Sequence, residues 1–449
     1  MSELSPAEVL RQLPPSALPV VEAILASAER HRLTLYLVGG PLRDLLLDRA
    51  VRDVDLVVEG SDEIGPEALC REAAPEGVRV VVHSRFGTAS IETPEAPIDV
   101  TGLRKESYAH PGALPRVESG TLEDDLRRRD FSVNALALRL TGVELADKVA
   151  IEEVDEGLRD LEERRLRVLH RRSFHDDPTR ALRAARLGAR LGFSLSRGSR
   201  SLLRDALRDG VFGRVSGDRL RREIEKVFDD ARQGLDPSQV LRRLADWHVL
   251  PALEPGLGMP RESTAPLRRL GRAIAEPPWR GPRYRPWVAG LATWLAPLPP
   301  ALRRRALQRL SVRGEVAKRV AEFPKLRDAV MRRLSTARGR GAVDALLCDL
   351  DEERLYALYA WAPPTPRRRV VRWAAEDRAR RVPVTGQDLL EIGLSGPAVG
   401  RALARIRAAF LDGAVANREE ALALAREIGR PRGATAKRRV RRSPRRKSD

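Results

Sequence analysis

Two aspartates one residue apart, Asp53 and Asp55, are the side chains of this sequence best suited to chemistry. They flank Val54 in the run DVDLVV, whose apolar residues predict a strand. Because side chains alternate along a strand, both carboxylates share one face, roughly 7 Å apart at about 3.3 Å per residue. Carboxylates in this arrangement bind Mg²⁺, and two such ions stabilise the attacking and the leaving oxygen of an in-line phosphoryl displacement.

The residues before this pair support the same interpretation. The run LYLVGGPLRD predicts a strand that ends at Gly39-Gly40 and a helix that begins near Pro41 and carries Arg43. Paired glycines let the backbone approach a phosphate closely. A glycine pair alone is a turn, and a D-x-D pair alone is usually an exposed strand face. The signal becomes much more specific when the elements occur in one order: a strand, a glycine pair, a helix with an arginine, and a strand with D-x-D.

A second group of charged residues lies in SFHDDPTRALRAARLGARLGF, residues 173–193, which predicts one helix with acids at its start. Arg180, Arg183, Arg186 and Arg190 recur at intervals of three, three and four residues, which places them within about a third of the helix circumference. A one-sided row of arginines is often a solvated face. Four on one stripe behind two aspartates suit a triphosphate or an RNA backbone better.

The elements that must position these groups change character along the chain. The apolar spacing of residues 20–33 predicts a helix. Strands of a mixed sheet are predicted by the short runs LTLYLVGG, DVDLVVEG, VRVVVHS, TASIETPEAPIDV and FSVNALALRL. From Leu158 to Gly429, helical spacing of Leu, Ala, Arg and Glu replaces these signals. The patterns therefore predict an α+β fold, with a mixed-sheet head followed by an all-helical remainder.

Composition indicates the kind of partner. The 449 residues are 42% hydrophobic, which supports a packed core, and carry a formal net charge of +19 with a pI near 10.9. A surplus this large indicates a polyanionic partner, either nucleic acid or an acidic membrane. The most apolar stretch, residues 291–302, is too short and too rich in proline to span a bilayer. No membrane partner is expected.

The last twenty residues, 430–449, hold ten Lys or Arg and one acid, Asp449. This composition predicts a disordered basic tail. The tail is either a solvated extension or a non-specific arm for phosphates. Two cysteines cannot build a disulfide framework, and no secretory signal is present at the start, so a cytoplasmic location is expected.

Five blocks of the chain resemble, in order, those of the class II tRNA nucleotidyltransferases, the group of CCA-adding enzymes, A-adding enzymes and poly(A) polymerases. The blocks are LVGGPLRD with DVD, FGTASIE through IDVTGLRKESY, RRRDFSVNALAL, DDPTRALRAARLGARLGF and GDRLRREIEKVF. The resemblance covers residues 33–230, and the remainder less firmly. It implies a polymerase β-like nucleotidyltransferase head, residues 1–160, followed by a helical neck (161–235), an RNA-binding body and tail (236–429) and the basic extension.

The resemblance also implies roles for the reacting end of the nucleotide. Asp53 and Asp55 are expected to hold Mg²⁺ ions. Gly39, Gly40 and Arg43 are expected to bind the incoming triphosphate. The attacking group would be an RNA 3′-hydroxyl, so no protein nucleophile is needed.

Further contacts to the nucleotide are implied for the next two blocks. Arg129 and Asp130 are expected to contact the ribose and the triphosphate. Arg183 and Arg186 are expected to assist at the triphosphate.

The resemblance implies that Asp177 and Arg180 recognise the base. The family block begins Glu-Asp-x-x-Arg, and here it begins with Asp176 instead of the glutamate. Cytosine and adenine both present an amino donor beside a ring-nitrogen acceptor, which a carboxylate and a guanidinium match. Guanine and uracil present the opposite polarity and would leave a buried Asp and Arg unpaired. The protein itself can therefore select C and A.

The sequence leaves three functions open. The first is addition of CCA to the tRNA 3′ end from CTP and ATP, and the second is addition of A alone, to tRNA or as poly(A). The third is a basic RNA-binding protein with an inactive pocket. The intact site residues argue against this third function. Residues 104–120, rich in Pro and Gly, are predicted to form a mobile loop. In relatives a loop here helps the switch from C to A, which argues against an enzyme that adds only C.

Overall fold

The computed structural model describes residues 2–60, 64–83 and 87–429. The chain forms two compact units. The first comprises Met1–Gly271 and Pro297–Lys318, and the second comprises Arg272–Ala296 and the described part of Arg319–Asp449. The borders predicted at residues 160 and 235 fall inside the first unit and remain predictions. The predicted basic tail, 430–449, lies outside the described residues.

Strands are confined to the first unit in the described part of the chain. They are β1 (Glu3–Leu4), β2 (Thr34–Val38), β3 (Val54–Glu59), β4 (Val80–His83), β5 (Thr88–Ile91), β6 (Ile98–Gly102), β7 (Arg104–Ser107), β8 (Arg116–Ser119), β9 (Leu136–Arg139), β10 (Val149–Ala150), β11 (Glu152–Glu153), β12 (Arg165–Leu166) and β13 (Ser194–Leu195).

The central sheet is mixed, as predicted. Its strands lie in the order β11-β9-β2-β3-β6-β5-β4, and the described strands β3 and β6 run parallel while the other neighbours are antiparallel. All five runs predicted to form strands do so. β2 is buried on both faces, as the consecutive apolar residues of TLYLV require. Its neighbours on one face include Leu122 and Leu126 of a helix described next.

Helices make up most of the rest of the described chain. They are α1 (Pro6–Leu10), α2 (Leu18–Arg30), α3 (Gly40–Leu46), α4 (Pro66–Ala73), α5 (Leu122–Arg127), α6 (Gly157–Glu162), α7 (Ser173–Asp176), α8 (Arg180–Leu191), α9 (Arg197–Arg208), α10 (Gly217–Asp229), α11 (Pro237–Asp246), α12 (Val249–Leu253), α13 (Thr264–Ala275), α14 (Pro286–Leu295), α15 (Pro300–Arg309), α16 (Gly314–Thr336), α17 (Arg340–Leu347), α18 (Glu352–Trp361), α19 (Pro364–Arg372), α20 (Gly386–Glu391), α21 (Pro397–Leu411) and α22 (Arg418–Gly429).

The helix predicted over 173–193 is interrupted. α7 ends at Asp176, Asp177 takes an extended conformation (φ −133°, ψ 93°), and α8 begins at Arg180. The cause is Pro178, whose ring disfavours the α conformation of the residue before it. The interruption turns the side chain of Asp177 out of the helical row.

Two further features lie outside the central sheet. β12 and β13 form a short parallel pair beyond Leu158, in a region where only helices were expected; strands of two residues are too short to leave an alternation signal. In the second unit, Asp344 accepts hydrogen bonds from Trp373 Nε1 (2.8 Å) and from Arg407 Nε (2.7 Å). This buried carboxylate ties α17 to α21.

Among the described helices, none combines the length and the apolar character that a bilayer crossing requires. Cys70 is buried and Cys348 is exposed, and neither forms a disulfide.

Candidate active site

A cavity of about 750 Å³ in the first unit collects the predicted site residues. Its walls come from the sheet, from the segment between β7 and β8, from the block around Arg129 and from α8. Of the residues predicted to bind nucleotide or metal, these line it: Gly40, Arg43, Asp53, Asp55, Arg129, Asp130, Asp177, Arg180, Arg183 and Arg186. Gly39 does not line the cavity.

Gly39 acts on the site through its missing side chain. It precedes α3 with φ 74° and ψ −130°, a conformation that glycine adopts readily and other residues do not. A Cβ atom at this position would overlap Nη1 of Arg129. The glycine therefore permits both the turn from β2 into α3 and the position of the Arg129 side chain.

Three carboxylates meet on the sheet at one end of the cavity. Asp53 immediately precedes β3, and Asp55, the second residue of that strand, is directly opposite Asp99 of the parallel strand β6. Asp99 also lines the cavity and accepts a hydrogen bond from Ser90. The sequence patterns did not single out Asp99. The signal is weak, a single acid between the buried Ile98 and Val100, and its importance depends on a pairing that the local sequence does not show.

The electrostatics of this group favour a cation. Burial and the neighbouring charges of Asp53 and Asp99 raise the pKa of Asp55 to about 7. Burial and the charge of Asp44 also raise the pKa of Asp53. Uncompensated carboxylates fit a divalent metal ion, whose charge removes the repulsion. Mg²⁺ takes oxygen ligands, and it completes its coordination with water and phosphate oxygens, so these carboxylates are of the right chemical type to hold it.

Arginines surround the acids. Arg43 is 2% exposed and donates to Asp44 Oδ1 from Nε at 2.8 Å and to Asn134 Oδ1 from Nη1. Arg129 donates to Asp125 Oδ2 at 2.9 Å, while its buried Nε has no hydrogen-bond partner among the described residues. A buried donor without a partner costs free energy. It fits a site that is completed by an anionic ligand.

Arg104 is a second arginine of this kind. It lines the cavity, and its buried Nε also lacks a partner in the described chain. Burial and the nearby charge of Arg128 lower its pKa. Arg104 belongs to a block that resembles the family, but no role was predicted for it.

Asp177, which also lines the cavity, has two oxygens in different surroundings. Oδ1 accepts from Thr179 N (3.0 Å), from Thr179 Oγ1 (2.6 Å) and from Arg219 Nη2 (2.8 Å). Oδ2 makes no hydrogen bond with the described residues. Arg219 belongs to the block GDRLRREIEKVF, and no role was predicted for it; here it holds the carboxylate in place.

Arg180 lies beside Asp177 and is 4% exposed. Its Nη1 donates to Ser173 Oγ, and its Nη2 donates to the carbonyl oxygen of Arg128 at 2.9 Å. These contacts fix the guanidinium against the cavity wall. The carboxylate and the guanidinium predicted to read the base are thus brought into one cavity and held rigidly.

Arg183 and Arg186 line the cavity but already have carboxylate partners. Arg183 donates to Asp130 Oδ2 at 2.8 Å, and Arg186 donates to Asp230 at 2.9 Å and to Glu223 at 3.0 Å. Burial alone would raise the pKa of Asp130, but the charge of Arg183 and a hydrogen bond from Asn134 hold that pKa at about 2. Asp130 therefore remains ionised and orients Arg183.

Residues 104–120, predicted to be a loop, form a hairpin. β7 and β8 pair in antiparallel register from Arg104 opposite Ser119 to Ser107 opposite Arg116. Pro111, Gly112 and Pro115 lie in the tip, and the strands are too short for sequence patterns to reveal. The tip is fixed to α7 and α10: Gly112 N donates to His175 O at 3.0 Å, and Arg219 Nη1 donates to Gly112 O at 2.8 Å.

Comparison with known proteins agrees with this geometry. Residues 35–167 match the family described as the Poly A polymerase head domain. Among curated proteins, the chain is 29% identical over 427 residues to the A-adding tRNA nucleotidyltransferase of Geobacter sulfurreducens, covering 92% of this chain and 47% of that protein. It is 30% identical to the A-adding tRNA nucleotidyltransferase of Halalkalibacterium halodurans, covering 89% of this chain and 90% of the relative.

A shorter part of the chain has a higher identity to another relative. Over 161 residues it is 49% identical to the CC-adding tRNA nucleotidyltransferase of Deinococcus radiodurans, covering 35% of this chain and 41% of that protein. The chain thus spans less than half of two of these three curated relatives.

Solved structures match over nearly the whole chain. An apo CCA-adding enzyme has a TM-score of 0.74 at 27% identity and covers 94% of this chain and 98% of its own. The Thermotoga maritima CCA-adding enzyme complexed with tRNA has a TM-score of 0.69 at 26% identity, covering 95% and 98%. Because one 30% identical relative is covered over 90% of its length, the chain belongs to the family of the tRNA nucleotidyltransferases.

Proposed function

We propose that this chain adds C and A, from CTP and ATP, to the 3′ end of tRNA without a nucleic-acid template. The observation that supports this most strongly is the free Oδ2 of Asp177 beside the fixed guanidinium of Arg180, in the same cavity as Asp53 and Asp55. Such a transfer needs a pair of side chains that selects the base and a group of carboxylates that holds metal ions at the reacting phosphate. The proposed partners are the tRNA acceptor arm, ATP, CTP and Mg²⁺.

The reacting groups meet at the carboxylates. Mg²⁺, held by Asp53 and Asp55 with Asp99 beside them, would supply charge neutralisation at the reacting phosphate. The RNA 3′-oxygen forms a bond to the α-phosphorus of the nucleotide while the bond from that phosphorus to the bridging oxygen breaks. Gly40 and Arg43 line the same cavity and are proposed to bind the triphosphate, and the unpartnered Nε of Arg129 is available to an oxygen of the substrate.

Base selection follows from hydrogen-bond polarity. The free oxygen of Asp177 accepts from the amino group of cytosine or adenine, and Arg180 donates to the adjacent ring nitrogen. Uracil and guanine place a carbonyl oxygen against the carboxylate and an N–H against the guanidinium. Both interactions are then repulsive in a buried site, which excludes these bases.

A second candidate function is addition of A alone. It is favoured by the two A-adding relatives, which match about nine-tenths of this chain. The match to a CC-adding relative over 161 residues supports a third activity, addition of C alone. All three activities use the same carboxylates and the same base-selecting pair, so the substrate must be tested directly.

The deciding experiment offers the purified protein three forms of one tRNA, ending before the CCA sequence, after one C, and after CC. Each is incubated with Mg²⁺ and with CTP, ATP, UTP or GTP separately and together. CCA addition predicts C on the first two forms and a single A on the third. Absence of C incorporation on the first form would leave A addition, and absence of A on the third would leave C addition.

The matched control is a variant with Asp53→Asn and Asp55→Asn. It should lose transfer and keep tRNA binding, because the substitutions remove charge but little volume. Transfer by this variant would contradict the assignment of the carboxylates.

A further inference from the structure

A second cavity adjoins the first at Arg190. Its volume is about 610 Å³, and Arg190 and Asp230 line both cavities. The other walls include Ala50 and Arg52 from the segment between α3 and β3, and residues 233–236 after α10. Nothing in the proposed chemistry at Asp53 and Asp177 uses this space.

Two arginines of this second cavity, Arg49 and Arg52, have no carboxylate partner among the described residues. The third, Arg190, forms an ion pair with Asp44 at 3.8 Å. Arg49 donates to the carbonyl oxygen of Arg190 at 3.2 Å, which leaves its charge unpaired. Arg52 is exposed and makes no hydrogen bond or ion pair with the described residues.

Each carboxylate of the same cavity has an arginine partner that does not line the cavity. The pairs are Asp44 with Arg43, Asp230 with Arg186, and Asp236 with Arg268. The cavity therefore has a surplus of positive charge, which favours an anion.

The position of the cavity identifies the anion. α8 is continuous from Arg180 to Leu191, so Arg180 and Arg190 are about 15 Å apart along its axis at 1.5 Å per residue. With a base at Arg180, an extended nucleoside triphosphate brings its last two phosphates to the region of Arg190. Arg190 and Arg43 also act electrostatically on Asp53, which places this region beside the reacting carboxylates.

We propose that the second cavity is the route by which inorganic pyrophosphate leaves the active site, past Arg190 and out between Arg49 and Arg52. The inference rests on the proposed function, because pyrophosphate is the product of that transfer. As the bond to the α-phosphorus breaks, pyrophosphate keeps the bridging oxygen and its electron pair, and the proton of the RNA hydroxyl passes to water. The product is then a strong anion beside a cavity with unpaired cations.

The first test uses the double variant Arg49→Ala, Arg52→Ala and the reverse reaction, in which Mg²⁺-pyrophosphate removes the terminal nucleotide from tRNA. We expect the KM for pyrophosphate to rise by about tenfold, as for the loss of charge-assisted hydrogen bonds. The rise in the KM for CTP or ATP should be several-fold smaller than the rise in the KM for pyrophosphate. The matched control is Arg200→Ala, an exposed arginine on α9 that lines neither cavity. It should change neither constant.

A second variant narrows the route without removing charge. Ala50 is exposed and lines the second cavity, so Ala50→Trp adds bulk at its wall with little risk to folding. Slower release predicts that steady-state turnover falls more than the rate of the first turnover. Equal effects on both rates, or a rise in the KM for tRNA in place of that for pyrophosphate, would overturn the inference.

Binding of Mg²⁺-pyrophosphate measured by calorimetry, without RNA or nucleotide, separates the two proposals. Weaker binding in the double variant of a protein that shows no transfer would refute the proposed function and keep the anion site. Unchanged binding and unchanged reverse reaction in an active enzyme would refute the exit route alone.

Discussion

At the scale of single residues, the two oxygens of Asp177 divide two tasks. Oδ1 is bound by Thr179 and Arg219 and fixes the orientation of the carboxylate, whereas Oδ2 is left to face a ligand. A carboxylate that accepts three hydrogen bonds on one oxygen cannot rotate without losing them. The direction of the remaining acceptor is therefore set before any nucleotide binds.

Asp177→Asn exchanges that acceptor for a donor while the volume stays the same. If the amide oxygen keeps the bonds to Thr179 and Arg219, the amide NH₂ faces the base. We expect incorporation of C and A to fall about hundredfold and the ratio of UTP to CTP use to rise, because the polarity of one hydrogen bond is reversed. The measurement is kcat/KM for each nucleotide. Asp176→Asn, which changes an acid outside the cavity, should leave the ratio unchanged, and an unaltered ratio in both variants would contradict the role of Asp177.

The pKa of Asp55 predicts how metal binding depends on pH. In the fold this pKa is about 7, raised by burial and by neighbouring carboxylates from its ordinary value of 3.8. The folded protein thus holds a proton that the unfolded chain releases, so the free energy of unfolding without metal decreases as pH rises from about 4 to about 7. Mg²⁺ must displace this proton, so its affinity should increase by up to about tenfold per pH unit below 7 and level off above.

Calorimetric titration of the protein with Mg²⁺ on both sides of pH 7 checks this dependence. A matched titration of Asp55→Asn should show weak binding with no inflection near 7. Affinity in the unaltered protein that is constant across this range would show that Asp55 is already ionised without metal.

At the scale of elements, two adjacent glycines in the turn from β2 into α3 should differ in their effects on stability and on nucleotide binding. Gly39→Ala forces a side chain into a conformation with φ 74° and against Arg129, and we expect a loss of about 1–3 kcal/mol in the free energy of unfolding. Gly40→Ala meets only the end of Arg43, at 3.6 Å, and should cost less than about 1 kcal/mol. Gly40→Ala should instead raise the KM for nucleotide, because its Cβ lies in the cavity.

Chemical denaturation gives the stabilities of the two variants, and initial rates give the KM values. Equal stability of both variants would contradict the strain assigned to Gly39. An unchanged KM in Gly40→Ala would place the triphosphate elsewhere.

How far sequence predicts these elements depends on the distance over which they form. The glycine turn and the D-x-D strand are local patterns, and both lie as predicted. Asp99 was missed because its meaning comes from β6 pairing with β3, more than forty residues away in the chain. One helix was predicted over residues 173–193, whereas the restriction that Pro178 imposes on the preceding residue interrupts that helix at Asp177, which lines the cavity.

At the scale of the whole molecule, charge connects the fold to its proposed partner. The net charge is +19, and residues 430–449 contribute +9 of it. The remaining charge belongs to the residues before them, so an attraction for RNA does not depend on this segment alone. The two uses of the segment, as a solvated extension or as a phosphate-binding arm, differ in their salt dependence.

Truncation after Gly429 tests the arm. If the segment binds RNA phosphates, the slope of log Kd for tRNA against log salt concentration should become shallower by about 0.7 for each single-strand phosphate that is no longer neutralised. The Kd is measured by filter binding across a salt series. A full-length variant with the ten basic residues of this segment replaced by Gln is the control for chain length, and an unchanged slope in both proteins would identify a solvated extension.

One guanidinium, that of Arg219, bonds both to Asp177 and to the carbonyl oxygen at the tip of the β7–β8 hairpin. An insertion or deletion in that tip would therefore remove a hydrogen bond that orients Arg219, and with it a support of the carboxylate proposed to select the base. If that proposal holds, we expect a change of hairpin length to require a compensating change at residue 219. Without one, the choice of nucleotide added to the RNA should change.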